Sequence, residues 1–282
     1  MASGEEWQIV RRGKGIARTG KRVQTEKPEA SEPSERLRGK RRITEAVNEL
    51  KGDNFWLEWR ELLSGCLAAS GRGSSENKAV SKRACLLDCV CYGLGNFSSC
   101  VSARYQLAML LLLFDTLEIP VGQCSMYDPV FTVSECETLR ELGFTVLTEN
   151  EEGKRAICRP TLFYLIHCGK ALYNNVLWKN WSLQVLPNVI VIGNSFLGIQ
   201  ERMLQRELER DYSFLSDAIG VCEETSLPCS PRFLDVFNDT ALIRFPTDKI
   251  SELPDSIWAE PVEPHYQHCP DLEIILKERQ LN

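Results

Sequence analysis

The sequence lacks the long apolar stretch that a membrane-spanning helix requires. Such a helix needs about 20 consecutive, mostly apolar residues, whereas the longest uninterrupted apolar run, residues 107–114, has eight. The first residues also lack the apolar segment of a secretory signal peptide. These two absences predict a protein that acts outside membranes and the secretory pathway, in the cytoplasm.

Cysteine is plentiful, but the spacings that give it a chemical role are missing. The 12 cysteines are scattered and include no Cys-x-x-Cys pair, and the three histidines form no H-E-x-x-H motif. No glycine-rich P-loop is present either. Without a secretion signal we expect reduced thiols rather than disulfides, and the sequence predicts no metal site.

Basic residues are concentrated at one end of the chain. Residues 1–42 contain 12 basic and 6 acidic residues, a charge of +6, whereas the remaining residues contain 21 and 33, a charge of −12. Few aromatics and many Lys, Glu, Ser and Pro residues predict that residues 1–42 are a disordered basic arm. Such an arm offers a contact for nucleic acid or acidic proteins, or a nuclear import signal at residues 38–42. Elsewhere we expect no direct nucleic-acid binding.

After the arm, the pattern predicts a helical cover and then an α/β domain. Apolar residues recur at three- and four-residue steps through residues 43–67, which indicates an amphipathic helix. Strand-like apolar runs then alternate with helical segments, a pattern typical of parallel strands joined by crossover helices. We therefore predict a Rossmann-like, mostly parallel sheet flanked by helices over residues 43–255, followed by a C-terminal extension over residues 256–282.

A glycine-rich turn follows the first predicted strand. Gly93, Gly95 and Ser98 occupy the three small-residue positions of a dinucleotide-binding fingerprint, before a predicted helix. Asp128, after the second strand, stands where an acidic residue would hold a ribose, although it lies 33 residues beyond Gly95 rather than the usual roughly 20. Two interpretations stay open: a site for a nucleotide or S-adenosylmethionine, and a structural turn that packs against neighbouring backbone.

Polar residues collect where the predicted strands end. In an open α/β sheet, the carboxyl ends of the strands are the edge at which ligands bind. Glu149, after the third strand, stands where methyltransferase-like sheets place a carboxylate near adenine. The candidate site residues are Gly93, Gly95, Asn96, Asp128, Glu149, Asn194 and Ser195.

A second candidate site lies near the end of the chain. His268 and Cys269 precede Pro270, and imidazole and thiolate are both haem-iron ligands. The alternative is that this Cys-Pro pair arises by chance in a chain with 12 cysteines and 13 prolines.

Several motifs together resemble one known family, the SRR-like proteins, named for sensitivity to red light reduced. The segments occur in the family's order across roughly residues 50–250. A departure is "ALIRF" at residues 241–245, where many relatives have a serine and a histidine. The motifs are YGLGNFSSCVSARYQLA (92–108), YDPVF (127–131), LYNNVLWKNW (172–181), GNSF (193–196) and FNDTAL (237–242).

The resemblance implies a regulatory role rather than a known reaction. The family is associated with circadian clock gene expression, with light signalling in plants and with the regulation of haem biosynthesis. It supplies no agreed catalytic residues or ligand. We therefore expect a cytoplasmic or nuclear regulator that acts through protein partners or a bound small molecule. The alternatives are a methyltransferase-like enzyme that binds a nucleotide or S-adenosylmethionine, and a haem sensor.

Overall fold

A computed structural model describes residues 33–69, 87–258, 261–266, 269 and 273–277. Residues 1–32 of the predicted arm and His268 of the predicted haem pair lie outside these ranges. None of the described helices is both long and apolar enough to cross a membrane.

Seven strands form one sheet in the order β3-β2-β1-β4-β5-β7-β6. Strands β1 to β5 pair in parallel with one another, whereas β7 is antiparallel to both β5 and β6. The predicted α/β fold with a mostly parallel sheet is confirmed. The strands are β1 (Asp88–Tyr92), β2 (Cys124–Tyr127), β3 (Thr145–Val146), β4 (Thr161–Leu165), β5 (Val189–Asn194), β6 (Glu223–Ser226) and β7 (Thr240–Arg244).

Helices cover both faces of the sheet. Side chains alternate along each strand, so Cys89 and Cys91 of β1 pack into one core while Val90 and Tyr92 pack into the other. The α helices in the described ranges are α1 (Pro33–Lys51), α2 (Asn54–Ala69), α3 (Val101–Leu117), α4 (Val133–Glu141), α5 (Lys170–Lys179), α6 (Phe196–Glu201), α7 (Gln205–Asp211), α8 (Ser213–Val221), α9 (Leu234–Phe237) and α10 (Thr247–Ile250). Helices α1, α2 and α3 contribute to the first core, and α5 and α8 to the second.

The N-terminal helices form the predicted cover, with one shifted boundary. Trp59 is fully buried and its indole Nε1 donates a hydrogen bond to the Pro228 carbonyl at 2.7 Å. Helix α1 begins at Pro33, ten residues before the predicted start, so residues 33–42 of the predicted arm are helical. Their basic side chains contact α4, since Lys40 lies 2.5 Å from Glu141 and Arg36 lies 3.2 Å from Glu137. This helix end therefore gains contacts between distant segments that a local apolar pattern does not reveal.

The last third of the domain differs from the sequence pattern in two places. The sequence pattern over residues 199–219 predicts one helix, whereas the structure has α6, α7 and α8 in this region. The composition of residues 224–232 (ETSLPCSPR) predicts a loop, but edge strand β6 covers the first three of these residues. Strand β6 has no buried residue, so it carries no apolar alternation by which a strand is recognised.

Candidate functional site

A cavity of about 740 Å³ lies at the carboxyl edge of the sheet. The chain passes from β1 outward to β2 and β3, and then crosses to β4 and β5 on the other side of β1. Ligands of open α/β sheets bind in the crevice at such a reversal of strand order. The side chains that line the cavity on the β1, β2, β4 and β5 ends include Tyr92, Asp128, His167, Cys168, Lys170 and Asn194.

The glycine turn contacts this cavity but is closed by a carboxylate of the chain itself. Gly93 and Gly95 have φ angles of +65° and +84°, in the left-handed region that favours glycine. The Gly95 amide donates to Asp128 Oδ2 at 2.8 Å, and the Val130 amide donates to Asp128 Oδ1 at 2.9 Å. Asp128 is buried. Both of its oxygens therefore already hold the turn and the loop after β2 together.

The start of helix α3 is satisfied in the same way. The Ser98 amide donates to Glu135 Oε1 at 2.8 Å, and the other oxygen of this fully buried carboxylate accepts from the Thr132 amide. Asn96 accepts from the Ser99 amide at 3.0 Å and from its hydroxyl at 2.8 Å. Two amides that a dinucleotide fingerprint would offer to phosphate, those of Gly95 and Ser98, are thus bonded to the protein's own carboxylates.

Gly93 also has a packing role against the end of β4. A Cβ atom added at Gly93 would lie 2.6 Å from Cys168 Sγ. The Cys168 thiol is half-buried and donates to the Tyr92 carbonyl at 3.4 Å. Burial, with a smaller contribution from Asp128, raises the pKa of this thiol well above its ordinary value. A nucleophilic role needs a lowered pKa, so this environment does not activate Cys168.

Asn194 and Ser195 fix the backbone at the next strand ends. Asn194 Oδ1 accepts from the His167 amide at 2.7 Å, and its Nδ2 donates to the Cys168 carbonyl. His167 lines the cavity with a φ of +57°. Ser195 caps α6 by accepting from the Gly198 amide at 2.8 Å, while its hydroxyl donates to Glu224 at 2.5 Å. Sequence reasoning missed Glu224 because β6 carries no recognisable pattern.

The loop after β3 presents two carboxylates in different settings. Glu149 is exposed and lies 3.1 Å from Lys277, away from the cavity. Glu151 instead accepts hydrogen bonds from Arg155 and from the hydroxyl of Tyr92, a cavity residue. Burial opposes ionisation of Glu151, but those hydrogen bonds outweigh it and lower its pKa. Burial, assisted by this carboxylate, raises the pKa of Tyr92.

The predicted site residues therefore separate into two groups. Gly93, Asp128 and Asn194 line the cavity. The remaining four do not line it: Gly95, Asn96 and Ser195 form hydrogen bonds within the neighbouring loops or to β6, and Glu149 pairs with Lys277.

The C-terminal residues contribute part of the cavity wall, which sequence reasoning missed. Glu273, Ile274 and Ile275 line it, and Ile274 packs against the second core. The Asn150 side chain donates to the Ile275 carbonyl at 2.6 Å. No local signal in residues 256–282 indicates this return to the sheet edge.

The haem candidates are described only in part. Cys269 is half-buried against the second core, and its amide donates to the Tyr266 carbonyl. Within the described ranges, no group of three or more His, Cys, Asp or Glu residues is placed to hold a metal ion.

Comparison with known proteins assigns this architecture to one family. The family model of the SRR1 domain matches residues 69–244, a range that includes strands β1 to β7. All five motifs quoted above fall inside this range.

Relatives in three organisms are similar to this chain. A mouse SRR1-like protein is 40% identical over 232 residues, covering 75% of this chain and 93% of the mouse protein. A Drosophila melanogaster SRR1-like protein is 35% identical over 161 residues, covering 57% of this chain and 56% of the fly protein. The Arabidopsis thaliana protein Sensitivity to Red Light Reduced 1 is 29% identical over 172 residues, 61% of each chain. The match thus spans less than two thirds of the fly and plant proteins.

Proposed function

The chain belongs to the SRR1 domain family, and from this premise we propose that it is a regulatory protein that influences circadian clock gene expression and haem biosynthesis. The Arabidopsis relative, whose name refers to sensitivity to red light, supports a regulatory role. The clock and haem components rest on what is associated with the family. We further propose that the protein works in the cytoplasm, with the nucleus as a second location, and acts on protein partners.

The cavity at the reversal of strand order carries the proposed mechanism: a small molecule binds there and sets the regulatory state. Its volume, about 740 Å³, lies within the roughly 300–1,000 Å³ range of small-molecule sites. Its lining combines apolar residues such as Leu172, Ile199 and Met203 with charged Lys170 and Arg202. Apolar walls with a few polar groups are typical of ligand sites.

The arrangement around Gly95 favours a ligand that does not place a phosphate in the glycine turn. Asp128 already accepts from the Gly95 amide, and Glu135 from the Ser98 amide. A pyrophosphate in the dinucleotide position would have to displace two carboxylates and meet their charge. S-adenosylmethionine carries no phosphate, and it is therefore the better of the two cofactor candidates for this cavity.

Native mass spectrometry and thermal unfolding test the proposal with S-adenosylmethionine and NAD as defined probes. A ligand at 100 times its dissociation constant stabilises the folded state by about 2.7 kcal/mol. We expect a ligand-bound mass and a raised Tm, with S-adenosylmethionine exceeding NAD. A screen of a metabolite mixture by the same mass measurement extends the search beyond these two.

Two valine variants locate the binding. Val130 lines the cavity and Val133 does not, yet each is 50% exposed. We expect Val130→Trp to abolish the ligand-induced rise in Tm and Val133→Trp to retain it. If no small molecule binds the wild-type chain, the cavity mechanism is wrong and regulation is better explained by protein contacts alone.

A further inference from the structure

Residues 273–277, which we term the C-terminal strap, lie along the carboxyl edge of the sheet. Glu273, Ile274 and Ile275 line the cavity. Beyond them, Lys277 reaches the loop after β3, where its amide donates to Glu152 and its ammonium group lies 3.1 Å from Glu149. The strap therefore spans from the start of α5 to the loop after β3, across one wall of the cavity.

At the α5 end, the strap is held by a lysine and by a glycine that permits close approach. Lys170 Nζ lies 3.1 Å from Glu273 Oε2. A Cβ atom added at Gly169 would lie 2.8 Å from the Glu273 carbonyl oxygen and nearer still to Glu273 Cβ. Gly169 has a φ of −72°, which any residue adopts. Proximity of the strap, and not backbone conformation, is therefore what favours glycine here.

The charged contacts of the strap are weak enough to open. The side chains of Lys170 and Glu273 are 27% and 56% exposed, and those of Lys277 and Glu149 are 62% and 75% exposed. Ion pairs at such exposed positions contribute little because water and salt screen them. The strap thus has a defined closed position with weak ion pairs, and its other contacts are the packing of Ile274 and two hydrogen bonds, from Asn150 and to Glu152.

The two cations of the cavity lining differ in their partners. Arg202 pairs at 2.5 Å with Asp239, the residue that precedes β7. Lys170 pairs with Glu273 of the strap. Opening of the strap therefore leaves Arg202 neutralised and uncovers the charge of Lys170 inside the cavity.

We propose that the C-terminal strap is a lid over the cavity, and that an acidic group of the ligand takes the place of Glu273 on Lys170 when the lid opens. The lid follows from the strap contacts alone, whereas the acidic ligand rests on the proposed function. In the closed state, Glu273 acts as an intramolecular competitor. The protein then links ligand binding to release of its C-terminal residues, which become available to a partner.

Alkylation of Cys168 by N-ethylmaleimide, followed by peptide mass spectrometry on the full chain, tests the lid. Cys168 lines the cavity and precedes Gly169, against which the strap packs, so its reaction rate should rise when the strap moves away. Gly169→Ala pushes the strap away without changing any charge. We expect the Cys168 rate to rise about fivefold, which corresponds to weakening the closed state by about 1 kcal/mol.

Controls within the same chain separate lid opening from unfolding. Cys158 is exposed and should react at one rate in all variants, whereas Cys89 and Cys124 are buried and react only when the fold is lost. Gly220→Ala is the matched substitution, since a Cβ there meets nothing within 4 Å. If Gly169→Ala exposes Cys89, Ile274→Ala replaces it, because loss of the packing of Ile274 on the second core also weakens the closed state. An unchanged Cys168 rate in Ile274→Ala and in a folded Gly169→Ala overturns the lid.

The ligand half is tested with adenosine 5′-monophosphate and citrate as phosphate and carboxylate probes. We expect one of them to protect Cys168 at lower concentration in Glu273→Gln than in the wild type, and to lose this effect in Glu273→Gln/Lys170→Met. Which probe protects identifies the acidic group. A faster Cys168 reaction with no protection by either probe retains the lid and overturns the acidic ligand. Absence of any ligand in the metabolite screen overturns the proposed function separately.

Discussion

Single residues at the carboxyl edge of the sheet serve mainly to hold strand ends together. Asp128 joins the turn after β1 to the loop after β2, and Asn194 joins the end of β5 to the backbone after β4. The glycine turn that looks like a nucleotide fingerprint in the sequence is thus also required for packing. Two separate features favour glycine at position 93: its positive φ, and its close contact with Cys168, which leaves no room for a Cβ atom.

A double-mutant cycle separates these two reasons. Gly93→Ala should destabilise the fold by about 2–4 kcal/mol, of which about 1–2 kcal/mol is the left-handed backbone and the rest is overpacking against Cys168. In a Cys168→Ala background the cost should fall to about 1–2 kcal/mol, since only the backbone term remains. Urea unfolding of the four proteins measures these values.

Gly122→Ala is the matched control for that cycle. An added Cβ there meets no atom closer than 3.8 Å, so we expect a change within about 0.5 kcal/mol. An equal cost of Gly93→Ala with and without the Cys168 side chain would show that contact with the thiol is unimportant.

The sequence predicted only those residues of the site that lie at the end of a recognisable strand. Gly93, Asp128 and Asn194 each follow or end an apolar run, so their meeting at one edge follows from parallel pairing. Gly169 and Glu273 could not be found in this way, because their contact joins positions about a hundred residues apart without a local pattern. Glu135 was missed because its buried carboxylate serves the start of another helix.

At the scale of elements, helix α5 explains why asparagines stand among aromatic residues in LYNNVLWKNW. Asn174 is fully buried, accepts from the Leu215 amide at 3.0 Å and donates to the Tyr266 hydroxyl at 3.1 Å. Asn175 donates to the Glu152 carbonyl and accepts from the same hydroxyl. The helix therefore binds α8, the loop after β3 and the C-terminal residues through one buried network.

Removing the shared hydroxyl tests this network. Tyr266→Phe leaves the facing groups of Asn174 and Asn175 buried without this partner, and we expect a loss of about 1–3 kcal/mol. Faster cleavage of residues 261–277 in limited proteolysis should accompany it. Tyr105→Phe is the matched control: it removes a hydroxyl that bonds to exposed Glu49, and its cost should stay below about 1 kcal/mol. Equal costs would contradict a special role for the buried network.

Elements could be predicted where a local sequence pattern specifies them, and were missed where contacts between distant segments do. The central strands β1, β4 and β5 are nearly continuous apolar runs, as expected when both faces of a sheet are covered. Edge strand β6 and the first turns of α1 depend on neighbours distant in sequence. Strand β6 pairs only with β7 in the sheet, and α1 contacts α4 through ion pairs.

For the molecule as a whole, residues 256–258, 261–266, 269 and 273–277 contribute to the domain that the sequence predicts to end at residue 255. The Trp181 and Trp258 rings lie 5.5 Å apart, and Trp181 donates to the Ile257 carbonyl at 3.0 Å. Trp178 donates to the Pro261 carbonyl at 2.9 Å. Residues 257, 258, 261 and 266 thus contact α5 or the second core, and residues 273–275 line the cavity.

A chain that ends at Asp255 tests whether the extension is a separate appendage. It loses the buried side chain of Tyr266 and the packing of Trp258 on Trp181, and burial of one large apolar side chain contributes about 1.5–3 kcal/mol. We expect the free energy of unfolding to fall by about 3 kcal/mol or more, measured in urea. A chain that ends at Lys277 keeps every contact described above and should match the full chain. If the chain that ends at Asp255 is as stable as the full chain, the predicted boundary is supported and the extension is dispensable for the fold. The extension would then contribute only part of the cavity wall.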